Sequence, residues 1–163
     1  MVHRFLYFWK NRTFNNSGVA EQYSWENFRP AFKTLDTNYD AAIGFLEKSS
    51  IYFVVDQVKA HKKLGFIHTF FSELKLDVGF EEKYISKLAS VAVVSNECGE
   101  NFKNVFPHVA QKVKVIPNIV SSELIENLSV KEAVSMEQNS IISIGRLITL
   151  KGFDLAVEAG KIL

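Results

Sequence analysis

The feature that most constrains this chain is a rhythm of short apolar runs. They recur at residues 41–46, 64–68, 91–95, 113–117 and 141–145. Between them lie stretches of helical period, such as Phe80, Tyr84, Ile85 and Leu88, and then Cys98, Phe102, Val105 and Phe106. The runs start roughly twenty to thirty residues apart, which is what strand–helix–strand crossovers require. Strands that are apolar almost throughout, alternating with amphipathic helices, predict an α/β chain whose parallel sheet carries helices on both faces.

In open sheets of this kind, ligands bind outside the carboxyl ends of the strands. That rule sorts the polar residues by position alone. His68, Ser95, Asn118 and the pair Gly145–Arg146 each stand at or just after the predicted end of a strand. An imidazole there can take a proton or hydrogen-bond a hydroxyl near neutral pH. A structural histidine bonded to loop backbone is an equally good reading of His68. Asn118, after Pro117, is either a ligand contact or a turn former, and the turn is the more ordinary role.

The stretch "SIGRLITLKGFD" carries the strongest chemical signal. A strand ending in glycine and leading into a helix offers free backbone N–H groups and a partial positive charge, a natural anion site. Arg146 adds a rigid fork of donors and Lys151 a mobile point charge, a combination suited to phosphate or diphosphate. Solvated loop cations are the ordinary alternative. Gly145 directly before Arg146, Gly152 directly after Lys151 and the strand–loop–helix setting favour the anion site. Beyond Gly152, Phe153, Val157 and Leu163 can share one helical face.

Other readings are bounded by composition. The chain has 163 residues, 47% of them hydrophobic, enough for one core and marginal for two. A net charge of +1 without a Lys/Arg run gives no footprint for nucleic acid. The single cysteine, Cys98, allows no intrachain disulfide and reads as a small buried hydrophobe in a helix over 97–106. His3, His61 and His108 have no ligand spacing with His68 or with one another, so no metal site is predicted. There is no GxGxxG or GxSxG stretch. No apolar run is long enough to span a bilayer, and "FLYFW" near the N-terminus lacks the features of a signal peptide. A cytoplasmic location is therefore expected. "SWENFRPAFKTL" predicts a helix bent or restarted at Pro30. Residues 121–139 read as a polar, partly helical linker before a new strand.

Five elements, "YDAAIG", "KKLGFIHT", "ASVAVVSNECGENFKNVFP", "KVKVIPNIV" and "ISIGRLITLKGFDLAVEA", together resemble the family-4 glycosyltransferases in order and spacing. These are retaining enzymes with two facing Rossmann-like domains, the GT-B architecture. "GRLxxxKGFD" is the most diagnostic element. The resemblance covers residue 39 to about residue 159 and implies an incomplete Rossmann-like sheet. Residues 1–120 would be the second half of an N-terminal, acceptor-side domain. Residues 121–139 would be the linker, and 140–163 the first strand and helix of a donor-binding domain. The donor would be a nucleotide-diphosphate sugar, its diphosphate held by Arg146, Lys151 and Gly145, with no metal or other cofactor. His68 would face the reacting centre, and Ser95 and Asn118 would be candidates for lining the cleft.

The resemblance departs at both ends. The family's opening strand and Gly-rich loop are not found in residues 1–40, and its later acidic segment for the donor sugar and ribose is missing. The expectation is a transferase truncated at both ends, inactive alone, whose last helix exposes apolar surface and favours self-association. The acceptor would be a glycan or a lipid-linked glycan, as in surface polysaccharide assembly. In the lipid-linked case "FLYFW" could touch the inner face of a membrane, although core burial is its more ordinary role. The alternative from a different class is a non-catalytic module that associates with a full-length partner.

Overall fold

A computed structural model describes residues 17–130 and 140–161. The "FLYFW" cluster and Leu163 lie outside the described residues. The chain divides into two compact units, Met1–Ile119 and Val120–Leu163.

In the first unit, helix α1 (Ser17–Phe28) ends just before a 3-10 turn over Arg29–Ala31, so the chain stops being α-helical where Pro30 removes a backbone donor. Strand β1 (Leu35–Gly44), helix α2 (Ser49–Gln57), strand β2 (Val58–Ile67), helix α3 (Val78–Ile85), strand β3 (Ser90–Val93), helix α4 (Asn96–Val105) and strand β4 (Val113–Val115) follow. The four strands are parallel and lie in the order β1-β2-β3-β4. This is the α/β class expected from the apolar rhythm, and it forms part of a Rossmann-like sheet. Strands β1 and β2 start earlier than their apolar runs, at Leu35 and Val58. Pairing is made by the backbone, so polar residues such as Lys59, His61 and Lys62 extend a strand wherever it stays exposed.

Strand order dictates where the helices go. Parallel strands added in one direction by right-handed crossovers carry their connections on the same face. Gly65 and Ile67 of β2 share that face with Val91 and Val93 of β3, their register partners. There they join a core built with Ile51, Tyr52, Phe71, Phe80, Ile85, Leu88, Phe102 and Phe106. The other parity of the sheet holds Tyr39, Ile43, Leu64, Phe66 and Ala92. On that side Ile43 is 57% exposed. Helical cover among the described residues of this unit is therefore one-sided, not on both faces as the apolar runs predict, because the strands are added in one direction only.

Helix α2 seats on the sheet through a pair of glycines. Gly44 and Gly65 are register partners across β1 and β2. A methyl group on Gly44 would lie 2.7 Å from the Cα of Ile51 and 2.9 Å from its nitrogen, inside the backbone of α2. One on Gly65 would meet only side-chain atoms, Leu88 Cδ1 at 2.8 Å and Ile51 Cδ1 at 3.0 Å.

A buried polar knot ties α1 to the helical layer. The Gln22 amide donates to Glu81 Oε1 at 2.8 Å and to the Asp77 carbonyl at 3.1 Å, and its oxygen accepts from Asp77 N–H at 2.9 Å. The Tyr52 hydroxyl donates to the same Glu81 oxygen. Asp77 also caps α3 by accepting from Phe80 N–H at 3.1 Å, and it receives the Tyr23 hydroxyl. Trp25 donates to Asp56 at 2.9 Å, and Arg29 lies 3.5 Å from the same carboxylate.

The second unit contains, among its described residues, helix α5 (Ser122–Ser129), a 3-10 turn over Thr149–Lys151 and helix α6 (Phe153–Gly160). Ser121 caps α5 by accepting from Leu124 N–H at 3.2 Å. The expected strand over 141–145 does not form among the described residues. Ile141 is 80% and Ile144 92% exposed, and no ladder partner pairs with them among the described residues. An apolar run becomes a strand only where another strand meets its N–H and C=O groups. The apolar side chains of α6 are exposed as anticipated, notably Leu155 and Val157.

The glycine pair generates an unequal prediction. Gly44→Ala should destabilise the chain by about 2–3 kcal/mol, because helix backbone must move, and Gly65→Ala by about 1 kcal/mol. Urea unfolding of the two variants checks the order, and equal costs would contradict the seating of α2.

Candidate functional site

Strand β2 delivers His68 to the carboxyl edge of the sheet, one residue beyond Ile67. Phe66, two residues earlier, points to the same face by strand alternation. Its ring lies 4.6 Å from that of His68 at an interplanar angle of 21°, a stacked pair. Phe45, just past the end of β1, completes the group at 4.9 Å from His68 and 5.1 Å from Phe66. Phe45 is 61% exposed, so the cluster opens outward.

A cleft of about 380 Å³ adjoins these rings, lined by Phe45, Phe66, Ile116, Pro117, Asn118 and Ile119. Its size falls in the range of small-molecule sites. The chain reaches it because Ile116 N–H donates to the Val93 carbonyl at 2.8 Å, which carries the β4 pairing one residue further. The residues that follow, Pro117 to Ile119, line the cleft.

His68 is held by its backbone. Glu47 Oε1 accepts from His68 N–H at 2.5 Å and from Thr69 N–H at 3.0 Å. Side-chain Nδ1 of His68 is buried without a hydrogen-bond partner. Such an atom costs on the order of 1–3 kcal/mol, and structures that keep one have a reason for it. Glu47 sits in the loop 45–48, whose last residue Lys48 takes a positive φ of 63° with ψ −122°. Lys48 is anchored by Glu21 of α1 at 2.5 Å, and Ser49 donates to the other Glu21 oxygen at 2.7 Å.

The residues singled out from sequence thus divide into three. His68 and Asn118 flank the same two aromatic rings. Ser95 does not line that cleft. It caps α4, its hydroxyl accepting from Cys98 N–H at 3.2 Å. The neighbouring Glu97 carboxyl is held below its ordinary range by its hydrogen bond with Ser95 and by its own backbone N–H. Cys98 is buried, as a small hydrophobe would be.

Gly145, Arg146 and Lys151 belong to the second unit. A methyl on Gly145 would lie 3.1 Å from Phe153 Cζ, so the ring at the start of α6 packs on this glycine. Lys151 N–H donates to the Ile148 carbonyl at 2.9 Å and Gly152 N–H to Thr149 at 3.0 Å. Gly152 has φ 64°, a left-handed turn that suits glycine, and leads directly into α6. Among the described residues no side chain caps this helix, which leaves its first amides without a side-chain acceptor; Arg146 and Lys151 are exposed. Asp154 in the first turn competes for the same partial positive charge. A cleft of about 340 Å³ at this turn is lined by Leu147, Ile148, Thr149, Phe153 and Asp154.

Sequence reasoning missed Phe45, Phe66 and Glu47. Phe66 had a signal in its two-residue spacing from His68. Glu47 had none, because its role is set by where two backbone amides of a distant loop arrive. Among the described residues, no group of three or more His, Cys, Asp or Glu side chains is arranged to hold a metal ion. No helix there is long and apolar enough to cross a membrane. Compared with models of protein families, with curated proteins and with solved structures, the chain shows no significant match.

Glu47→Ala should speed hydrogen exchange at the His68 and Thr69 amides about 10-fold or more, since hydrogen bonds to a charged acceptor are the stronger kind. Exchange at Val91 and Val93 in the core should be unchanged. Unaltered exchange at His68 would show that Glu47 does not hold it.

Proposed function

We propose that this chain is part of a retaining glycosyltransferase that takes a sugar from a nucleotide-diphosphate donor. The observation that carries the reading is His68, held at the carboxyl edge of a parallel sheet beside an open aromatic cleft. Ligands of α/β sheets gather at that edge. The Gly145–Arg146 and Lys151–Gly152 turns, leading into the uncapped N-terminus of α6, add a setting suited to a diphosphate.

The chemistry follows from these groups. The bond between the anomeric carbon and the donor's diphosphate breaks, the leaving group keeps the electron pair, and an acceptor hydroxyl oxygen bonds to that carbon with net retention. The hydroxyl proton passes to His68 or to the departing diphosphate. Arg146 and Lys151 would neutralise charge on the departing diphosphate, the part a metal ion plays elsewhere. His68 would orient or deprotonate a hydroxyl on the acceptor side. A glycan or lipid-linked acceptor, in polysaccharide assembly at the cytoplasmic face of a membrane, fits this reading.

A second reading, a non-catalytic module that binds a partner, draws on the exposed apolar side chains Ile119, Val120, Ile144 and Leu147. Nucleotide binding separates the two. UDP and GDP should broaden or shift in phosphorus NMR when the chain is added. The Arg146→Ala/Lys151→Ala double variant should weaken binding at least 10-fold, the scale of losing charge-assisted hydrogen bonds. Absence of binding by either nucleotide, or binding indifferent to both substitutions, would contradict the transferase reading.

A further inference from the structure

Glu81 of α3 is fully buried and serves neither the aromatic cleft nor the α6 turn. Its Oε1 accepts from Tyr52 of α2 and Gln22 of α1, while its Oε2 is buried without a partner among the described residues. Gln22, also fully buried, donates to this acid and exchanges hydrogen bonds with the backbone of Asp77. The next residue back, Glu21, anchors Lys48 and Ser49. Lys48 closes the loop that carries Phe45 and Glu47, and Glu47 grips the His68 and Thr69 amides. A continuous set of contacts therefore runs from a buried carboxyl, through α1, to the backbone of the candidate site.

We infer that α1 is a pH-dependent latch: it closes over Glu81 when that carboxyl is protonated, and in closing it fixes the loop 45–48 and with it His68. Ionised, the same carboxyl sits in the core with one oxygen facing no donor, and release of α1 lets water reach it. The charged and titratable groups around it are Tyr52 on α2, Lys48 at the head of α2, and Glu21 on α1. Asp77 at the head of α3 adjoins it through Gln22.

The direction of the effect follows from linkage. Burial pushes the Glu81 carboxyl up to about 7, against the pull of its Tyr52 and Gln22 hydrogen bonds. A folded value above the exposed one means that closure is strongest below the exposed value, weakens as pH rises toward about 7, and levels off beyond. Tyr52 is pushed further up by burial and by Glu81, so it stays a neutral donor throughout. The latch does not depend on the identity of the ligand, and it needs no activity to be seen.

Native-state hydrogen exchange on the whole chain, corrected for intrinsic rates, tests it. Between pH 5 and pH 8 the protection of the α1 amides should fall by on the order of 50-fold, with a parallel but smaller fall at His68 and Thr69. Glu81→Gln, which keeps the shape and removes the charge, should flatten both profiles. Tyr52→Phe should move the midpoint to higher pH, because it removes a donor that favours the ionised acid. Glu21→Gln should move the α1 profile only slightly, to lower pH, because it removes a charge that raises the Glu81 carboxyl. It should also abolish the echo at His68 and Thr69. If Glu81→Gln folds and keeps the wild-type profile, or the wild type shows no pH-dependent loss of protection in α1, the latch is wrong. If Glu81→Gln does not fold, a carbon-13 titration of the wild-type Glu81 carboxyl decides: a midpoint near an ordinary carboxyl overturns the inference, and one near 7 that tracks α1 exchange upholds it.

Discussion

The contact on which the rest of this structure depends is the seating of α2 on the paired glycines Gly44 and Gly65. Because neither has a side chain, the first turn of the helix comes down onto β1 and β2 with Ile51 fully buried between them. That close approach forces the short connection through residues 45–48 to double back at the strand's end. There the chain adopts the positive φ of Lys48, and Glu47 is presented to the amides that follow β2. A bulkier pair would lift the helix, lengthen the connection and release His68 from its fixed place. Core packing and the geometry of the candidate site are in this sense one problem.

One-sided helical cover has a chemical consequence. Face-buried residues such as Val91, Val93 and Ile67 supply cohesion, while their neighbours of opposite parity, Ile43, Phe45 and Phe66, remain available to a ligand. Stability is drawn from one face and recognition from the other. The polar knot around Glu81 departs from this division, since a buried carboxyl is costly and would not be kept for cohesion alone. Its links to α1 and from there to the loop 45–48 give it a role on both sides.

Much of the fold was legible because strand and helix periods differ. The apolar runs ending at 68, 95 and 117 foretold three strands of a parallel sheet, and the helical spacing of Phe80, Tyr84 and Ile85 foretold a helix that covers them. The same logic failed for 141–145, where the run is apolar and ends in glycine as a strand would. Pairing partners decide that outcome, and periodicity cannot report them. Of the candidate site, His68 and Asn118 were legible by position at strand ends. Ser95 was legible by the same rule and turned out to spend its hydroxyl on the α4 cap. Glu47 and the Gln22–Glu81 pair were invisible, since contacts across 21 and 59 residues arise from topology.

The most direct test of the account is a solvent paramagnetic relaxation measurement on the isotopically labelled chain with a soluble, uncharged probe. The central claim is an α/β unit whose core lies on one face and whose candidate site opens on the other. It predicts strong broadening at Tyr39, Ile43 and Phe45, graded broadening at Phe66 and His68, and almost none at Ile51, Val93 and Phe102. Equal protection of Ile43 and Val93 would mean that the sheet is covered on both faces, and the open aromatic cleft beside His68 would have to be given up.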